Sequence, residues 1–89
     1  MIVIHSARIR IHGRVQGVSF RGWLVREATR RGLRGWVRNR TDGSVEALIA
    51  GEPAAVRAMI DGCRSGPPAA RVDRVEEQPG TETVPDGFE

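Results

Sequence analysis

The sequence predicts an α+β fold with the order strand, helix, strand, strand, helix, strand. Three observations predict it. Four short segments alternate apolar and polar residues, two segments between them place apolar residues three and four apart, and glycine or proline stands wherever one period gives way to the other. With 89 residues, 39% of them apolar and 28% charged, the chain has the make-up of one globular domain spanning 1–89 and one modest core.

Each element has its own warrant. Ala7, Ile9 and Ile11 alternate with Arg8, Arg10 and His12, a half-buried strand that Gly13 is expected to end. From Arg21 the spacing changes: Phe20, Leu24 and Ala28 lie four apart with Val25 beside them, and Arg26, Glu27, Arg30 and Arg31 fill the other face. That is an amphipathic helix stopped by Gly32. Leu33 to Arg40 and Ser44 to Ala50 alternate again, and Thr41-Asp42-Gly43 between them carries an Asp-Gly turn signal, so the two strands read as a hairpin. Gly51-Glu52-Pro53 opens a second helix with Val56, Met59, Ile60 and Cys63 at helical spacing, and Gly66-Pro67-Pro68 stops it. Arg71 to Gln78, with Val72 and Val75 among charges, reads as a weakly patterned edge strand, and Pro79 to Gly87 as loop.

This order is the split βαβ arrangement, the ferredoxin-like βαββαβ sandwich: an antiparallel sheet with two helices on one face. A right-handed crossover through the first helix leaves the first and second strands parallel with another strand between them. Their C-terminal ends then lie at the edge where that helix begins. Asn39, near the end of the second strand, is therefore expected beside Arg21.

Composition excludes several function classes. The longest apolar run, Ala47 to Ala50, is far too short to span a bilayer, so no membrane partner is expected. Met1-Ile2-Val3-Ile4 meets His5 and Arg8 too soon for a signal-peptide apolar region, which makes the cytoplasm the expected location. Cys63 is the only cysteine, leaving no internal disulfide and no Cys/His set with zinc spacing. All 14 cationic side chains are arginine, so the Gly-Lys-Ser/Thr nucleotide loop is excluded. Residues 1–40 hold ten arginines against Glu27 alone, and residues 73–89 hold six acids against Arg74. The first half should attract anions, although codon bias in a GC-rich genome accounts equally well for the arginine excess.

Between the first strand and its helix runs Gly13-Arg14-Val15-Gln16-Gly17-Val18-Ser19-Phe20-Arg21. Two glycines allow a tightly curved path, and curved backbone N–H groups ending at a helix N-terminus make a concave anion site. The helix contributes about half a positive charge there. Arg21 adds a full one, in a planar fork suited to two phosphate oxygens. Read without further context, the same loop is also compatible with an ordinary connection.

That segment, followed by Gly35-Trp36-Val37-Arg38-Asn39-Arg40 and Asp42-Gly43, closely resembles the acylphosphatase family. The similarity covers about residues 6 to 78, including Gly66-Pro67-Pro68 and Ala70-Arg71-Val72-Asp73. It implies hydrolysis of a small-molecule acyl phosphate, a carboxyl-phosphate mixed anhydride, to carboxylate and inorganic phosphate, with no metal and no other cofactor. It also implies roles: the amides of Gln16, Gly17, Val18, Ser19 and Phe20 bind phosphate, Arg21 holds it, and Asn39 orients the attacking water. The chemistry fits, since a carboxylate whose conjugate acid has a pKa of about 4 leaves without a general acid. The family usually ends on a short final strand. Val84 to Glu89, broken by Pro85 and Gly87, falls short of it, which leaves the closing of that sheet edge open.

Other residues invite chemistry less. Ser19 has no adjacent base to make it a nucleophile. His12 lies on the outward phase of its strand, and it and His5 are expected to be solvated, Cys63 to be a buried inert thiol, and Trp23 and Trp36 to be packing groups. The alternative function is a non-catalytic RNA- or small-anion-binding ferredoxin-like module. RNA modules of this strand order stack bases on aromatics of the central strands, and the expected first and third strands carry none, so no nucleic-acid partner is expected. No apolar stripe beyond the core is evident, so a monomer is expected.

Overall fold

The structure, a computed structural model, describes residues 3–89. It contains β1 (His5–Arg14), α1 (Phe20–Arg30), β2 (Arg34–Asn39), β3 (Val45–Gly51), α2 (Pro53–Cys63) and β4 (Arg71–Pro79). The sheet order is β2-β3-β1-β4, with every neighbouring pair antiparallel. β1 and β2 both run against β3 and are therefore parallel to each other with one strand between them, as the crossover rule requires.

One face of the sheet carries the helices, α1 on β2 and α2 on β1. Ile9 and Ile11 of β1, Val37 of β2, and Val45, Ala47 and Ile49 of β3 meet Phe20, Leu24 and Ala28 of α1 and Val56, Met59, Ile60 and Cys63 of α2 in a single core. The local chemistry of the helix ends is as the sequence signals. At the end of α1 the N–H of Gly32 donates to Thr29 O (3.1 Å) and that of Leu33 to Ala28 O (2.9 Å), the Schellman pattern. At the start of α2 the Glu52 carboxylate accepts from the N–H groups of Ala54 and Ala55, each at 3.2 Å, with Pro53 just inside the helix.

One expectation is corrected. Gly13 does not end β1: the strand continues through Arg14, and its register against β4 slips between His12 and Gly13 in a β-bulge. Glycine is required there by close approach, since a Cβ at Gly13 would lie 2.2 Å from the Arg71 carbonyl oxygen. The closing of the sheet edge by the C-terminus, left open by the sequence, is resolved by the structure. After β4 the chain turns back at Gly80, whose N–H donates to Ser6 O, and Glu82 pairs with Arg8 on the sheet face that bears no helix. It then pairs with the free edge of β2. Gly35 N–H donates to Gly87 O (3.0 Å), Val37 N–H to Glu89 O (2.9 Å) and Glu89 N–H to Gly35 O (2.9 Å), a short parallel bridge at Phe88. Pro85 and Gly87 limit this pairing to the last three residues, yet those residues cover an edge that would otherwise be open. Phe88 packs against the core beside Gly35.

A chain ending at Asp86 loses three backbone hydrogen bonds and the Phe88 contact. It should be less stable by about 1–3 kcal/mol, given net hydrogen-bond and apolar-burial values. Urea unfolding checks this, and an unchanged midpoint would show that the tail does not secure β2.

Candidate functional site

The loop from Val15 to Ser19 leaves β1 just past the bulge and enters α1. Gly17 (φ 73°) and Ser19 (φ 64°, ψ 25°) both take left-handed backbone, with Val18 between them. Left-handed residues set into such a turn swing successive N–H groups toward one concave side. Glycine adopts this conformation without strain, but serine does not: the left-handed form costs a non-glycine residue roughly 1–2 kcal/mol. Strain held at a helix entry points to a constraint from function rather than from packing. Ser19 is also the residue preceding α1, yet its hydroxyl makes no cap, and no acid stands in the first turn. The first-turn amides thus face the concavity with neither a side-chain acceptor nor a competing carboxylate.

The loop is fixed from three sides. Val15 and Phe20 are buried in the core. Gln16 turns its side chain away from the concavity, and Nε2 donates to Arg40 O (2.7 Å) and Ser44 O (2.9 Å), the two carbonyls flanking the β2–β3 turn. That turn is itself braced. The Asp42 carboxylate accepts from the Ser44 hydroxyl (2.6 Å) and N–H (2.9 Å), and these bonds hold it below the usual carboxylate range. On the third side Gly66 presses on the Phe20 ring so closely that a Cβ would lie 2.5 Å from it, and Trp23 meets the same ring edge-on at 5.4 Å. Sequence reading took Gly66 only as a helix stop and Gln16 only as an amide donor. The place of Gly-Pro-Pro in the family resemblance was the available signal for the first, but nothing local marked the second.

A cleft of about 270 Å³ opens over the concavity, lined by Val15, Gly17, Ser19, Phe20, Arg21, Gly22 and, from across the sheet, Asn39. The expected meeting of Arg21 and Asn39 is thus present. Gln16 and Val18 do not line the cleft; Val18 packs on the core instead. Arg21 is exposed and, among the described residues, pairs with no acid, whereas Arg8, Arg10 and Arg40 all converge on Glu46. Asn39 is exposed as well, and its carboxamide has no hydrogen-bond partner among the described residues. One planar cation, a row of unpaired amides and one free carboxamide therefore share a small polar hollow, an arrangement suited to a tetrahedral oxyanion and a water molecule.

Residues 7–89 match the family model described as Acylphosphatase. The chain belongs to the acylphosphatase family. It is 65% identical over 72 residues to an acylphosphatase of Nitrobacter hamburgensis, an alignment covering 81% of this chain and 73% of that one. Among solved structures it is similar to an acylphosphatase from Coxiella burnetii, with a TM-score of 0.90 at 29% identity over 96% of this chain and 90% of the other. It is also similar to the acylphosphatase from Bacillus subtilis, with a TM-score of 0.83 at 38% identity over 97% and 96%. The acylphosphatase match runs to Glu89, in keeping with a C-terminal segment that belongs to the sheet.

The remaining candidates lie elsewhere. His12 is on the outward, helix-free face as expected, partly exposed and paired there with Glu76. Trp36, also on that face, is covered by the Arg38 guanidinium at 4.4 Å from the ring centroid. Cys63 is buried in the core, and burial pushes its thiol up to about 12.

Two outcomes follow. Gln16→Ala removes two hydrogen bonds to carbonyls that keep their backbone donors, Gly43 N–H on Arg40 O and Arg40 N–H on Ser44 O; it should lower stability by about 1–3 kcal/mol in denaturant titration and weaken competition by inorganic phosphate. Because the raised Cys63 pKa keeps the thiol protonated at pH 8, iodoacetamide should label the native protein negligibly and the urea-unfolded protein readily, as mass spectrometry will show.

Proposed function

We propose that the cleft between β1, α1 and β2 is the catalytic site of this acylphosphatase-family enzyme, which hydrolyses acyl phosphates to a carboxylate and inorganic phosphate. The observation that carries this reading is the convergence of Arg21, Asn39 and the left-handed Gly17–Ser19 turn on one hollow. In the proposed mechanism the N–H groups from Gly17 to Phe20, together with the Arg21 guanidinium, hold the phosphoryl oxygens. Asn39, on the opposite wall, holds water in line with the bond to the acyl oxygen. Water attacks phosphorus as the P–O bond to the acyl group breaks, and the electron pair leaves with the carboxylate.

Positioning and charge neutralisation are all that this reaction asks of the protein. The leaving carboxylate needs no proton, and the hollow accordingly offers no acid. A carboxamide does not titrate near neutral pH, so Asn39 orients the water but takes no proton from it. That proton passes to a phosphoryl oxygen or to solvent. The proposal includes metal independence and a monomer comprising a single domain. Among the described residues only Val3 and Ile4 are large hydrophobics left exposed, which supports the monomer.

Benzoyl phosphate with excess chelator tests the proposal. The parent should turn over. Arg21→Ala should lose at least the roughly 100- to 1,000-fold that follows removal of one preorganised oxyanion donor, and Asn39→Ala should fall chiefly in kcat. Inorganic phosphate should inhibit competitively. Full activity in both variants would remove the assigned site, and an inactive parent would favour a binding module.

A further inference from the structure

Next to the cleft, against one of its lining residues, lies a cation that the phosphate does not require. Gly22, the third residue of α1, lines the hollow and has no side chain. A Cβ built there would lie 3.3 Å from Nη1 of Arg26. Helical side chains lean toward the N-terminus, so residue 26 naturally covers residue 22, one turn back. The missing Cβ leaves room for the guanidinium to lie against the backbone at the wall of the hollow.

Arg26 is also uncommitted. Its neighbour Glu27 is the only acid on α1, and Glu27 is engaged by Arg30 at 2.8 Å and approached by Arg31 at 3.9 Å. Hydrogen bonding to Arg30 first, and then the charges of Arg30, Arg31 and Arg26, hold the Glu27 carboxyl below its ordinary range. Among the described residues Arg26 itself makes no ion pair and no hydrogen bond, and it is exposed. A second guanidinium thus lies against Gly22 at the edge of the cleft, beyond Arg21, felt by Glu27 but held in no ion pair among the described residues.

In-line displacement puts the leaving group on the side of phosphorus away from the attacking water. If Asn39 holds the water on the β2 wall, the acyl group departs along the α1 wall, over Gly22. We propose that Arg26 is a specificity-determining residue that binds a carboxylate carried by the acyl portion, so that the enzyme favours acyl phosphates of dicarboxylic acids over those with a neutral acyl group. This rests on the catalytic assignment above and extends it from the phosphate, common to all acyl phosphates, to the part of the substrate that differs among them. Arg26 touches no reacting atom in this scheme. It acts on binding, through an exposed charge pair, so its effect is modest and sensitive to salt.

The test compares kcat/KM for succinyl phosphate and butyryl phosphate, which have the same carbon count and differ in the distal carboxylate. In the parent the succinyl-to-butyryl ratio should be at least about threefold above that of Arg26→Gln, within the range of exposed ion pairs. The difference should lie mainly in KM and shrink as ionic strength rises. Arg26→Lys should retain part of the preference. Arg64→Gln, which removes the same charge from the end of α2, should leave the ratio as in the parent. A ratio unchanged by Arg26→Gln, or lowered equally by Arg64→Gln, overturns this inference while butyryl phosphate turnover preserves the catalytic assignment. Loss of turnover on both substrates in the parent overturns the two together.

Discussion

The two hydrogen bonds from the Gln16 carboxamide are the interaction on which the geometry of the site depends. The sheet alone brings the ends of β1 and β2 to the same edge, but β3 lies between them, and strand spacing of about 5 Å leaves the loop and the hairpin turn as separate projections. Gln16 immediately precedes the first left-handed residue of the cradle, and the carbonyls it grips belong to Arg40, which follows Asn39, and to Ser44, which immediately precedes β3. One side chain thereby ties the amide-bearing wall to the wall that carries the carboxamide. The brace on the other side of the turn, Asp42 accepting from Ser44, makes the anchor point itself rigid. A site that works by position alone needs this bracing more than one with a strong acid or base, since a misplacement of about 1 Å can lose about a hundredfold in rate.

Much of this was legible in the sequence because its signals were periodic or topological. The alternation of Ala7, Ile9 and Ile11, the four-residue spacing of Phe20, Leu24 and Ala28, and the right-handed crossover together suffice to bring Arg21 to Asn39. The parts that were not legible depend on contacts between residues remote in sequence. Gly13 reads as a strand end because glycine disfavours strands, but the carbonyl of Arg71 on β4 is what demands it, and the strand carries on past it. The Phe88 pairing was hidden for a related reason: three residues carry no period, and Pro85 and Gly87 argue locally against a strand, while the unpaired edge of β2 supplies the partner. Gly66 and Gln16 were assigned their commonest local meanings, and tertiary packing gave them others.

Charge shows how local and global readings diverge. An arginine-rich first half suggests a broad attraction for polyanions, but most of those arginines are spent within the molecule. Arg8, Arg10 and Arg40 surround the nearly buried Glu46; Arg8 also reaches Glu82; Arg10 also meets Asp42; Arg30 and Arg31 share Glu27; and Arg38 lies on Trp36. The acidic second half returns across the helix-free face, where Glu76 meets His12 and Glu82 meets Arg8. That face, which in RNA modules would display aromatics to bases, here presents a mesh of ion pairs with its one tryptophan capped by a cation.

The positive potential that remains is concentrated where pairing fails. Among the described residues the exposed cations of α1 without an acid are Arg21, in the first turn where the helix dipole is itself positive, and Arg26, whose guanidinium reaches back to Gly22. A field built from a dipole, a strained amide turn and two free guanidiniums falls off within about a Debye length, roughly 8 Å at physiological salt. It therefore acts most strongly on an anion that enters the hollow. In this chain the attraction for a small anion arises from where the acids are not: none stands in the first turn of α1, beside the hollow.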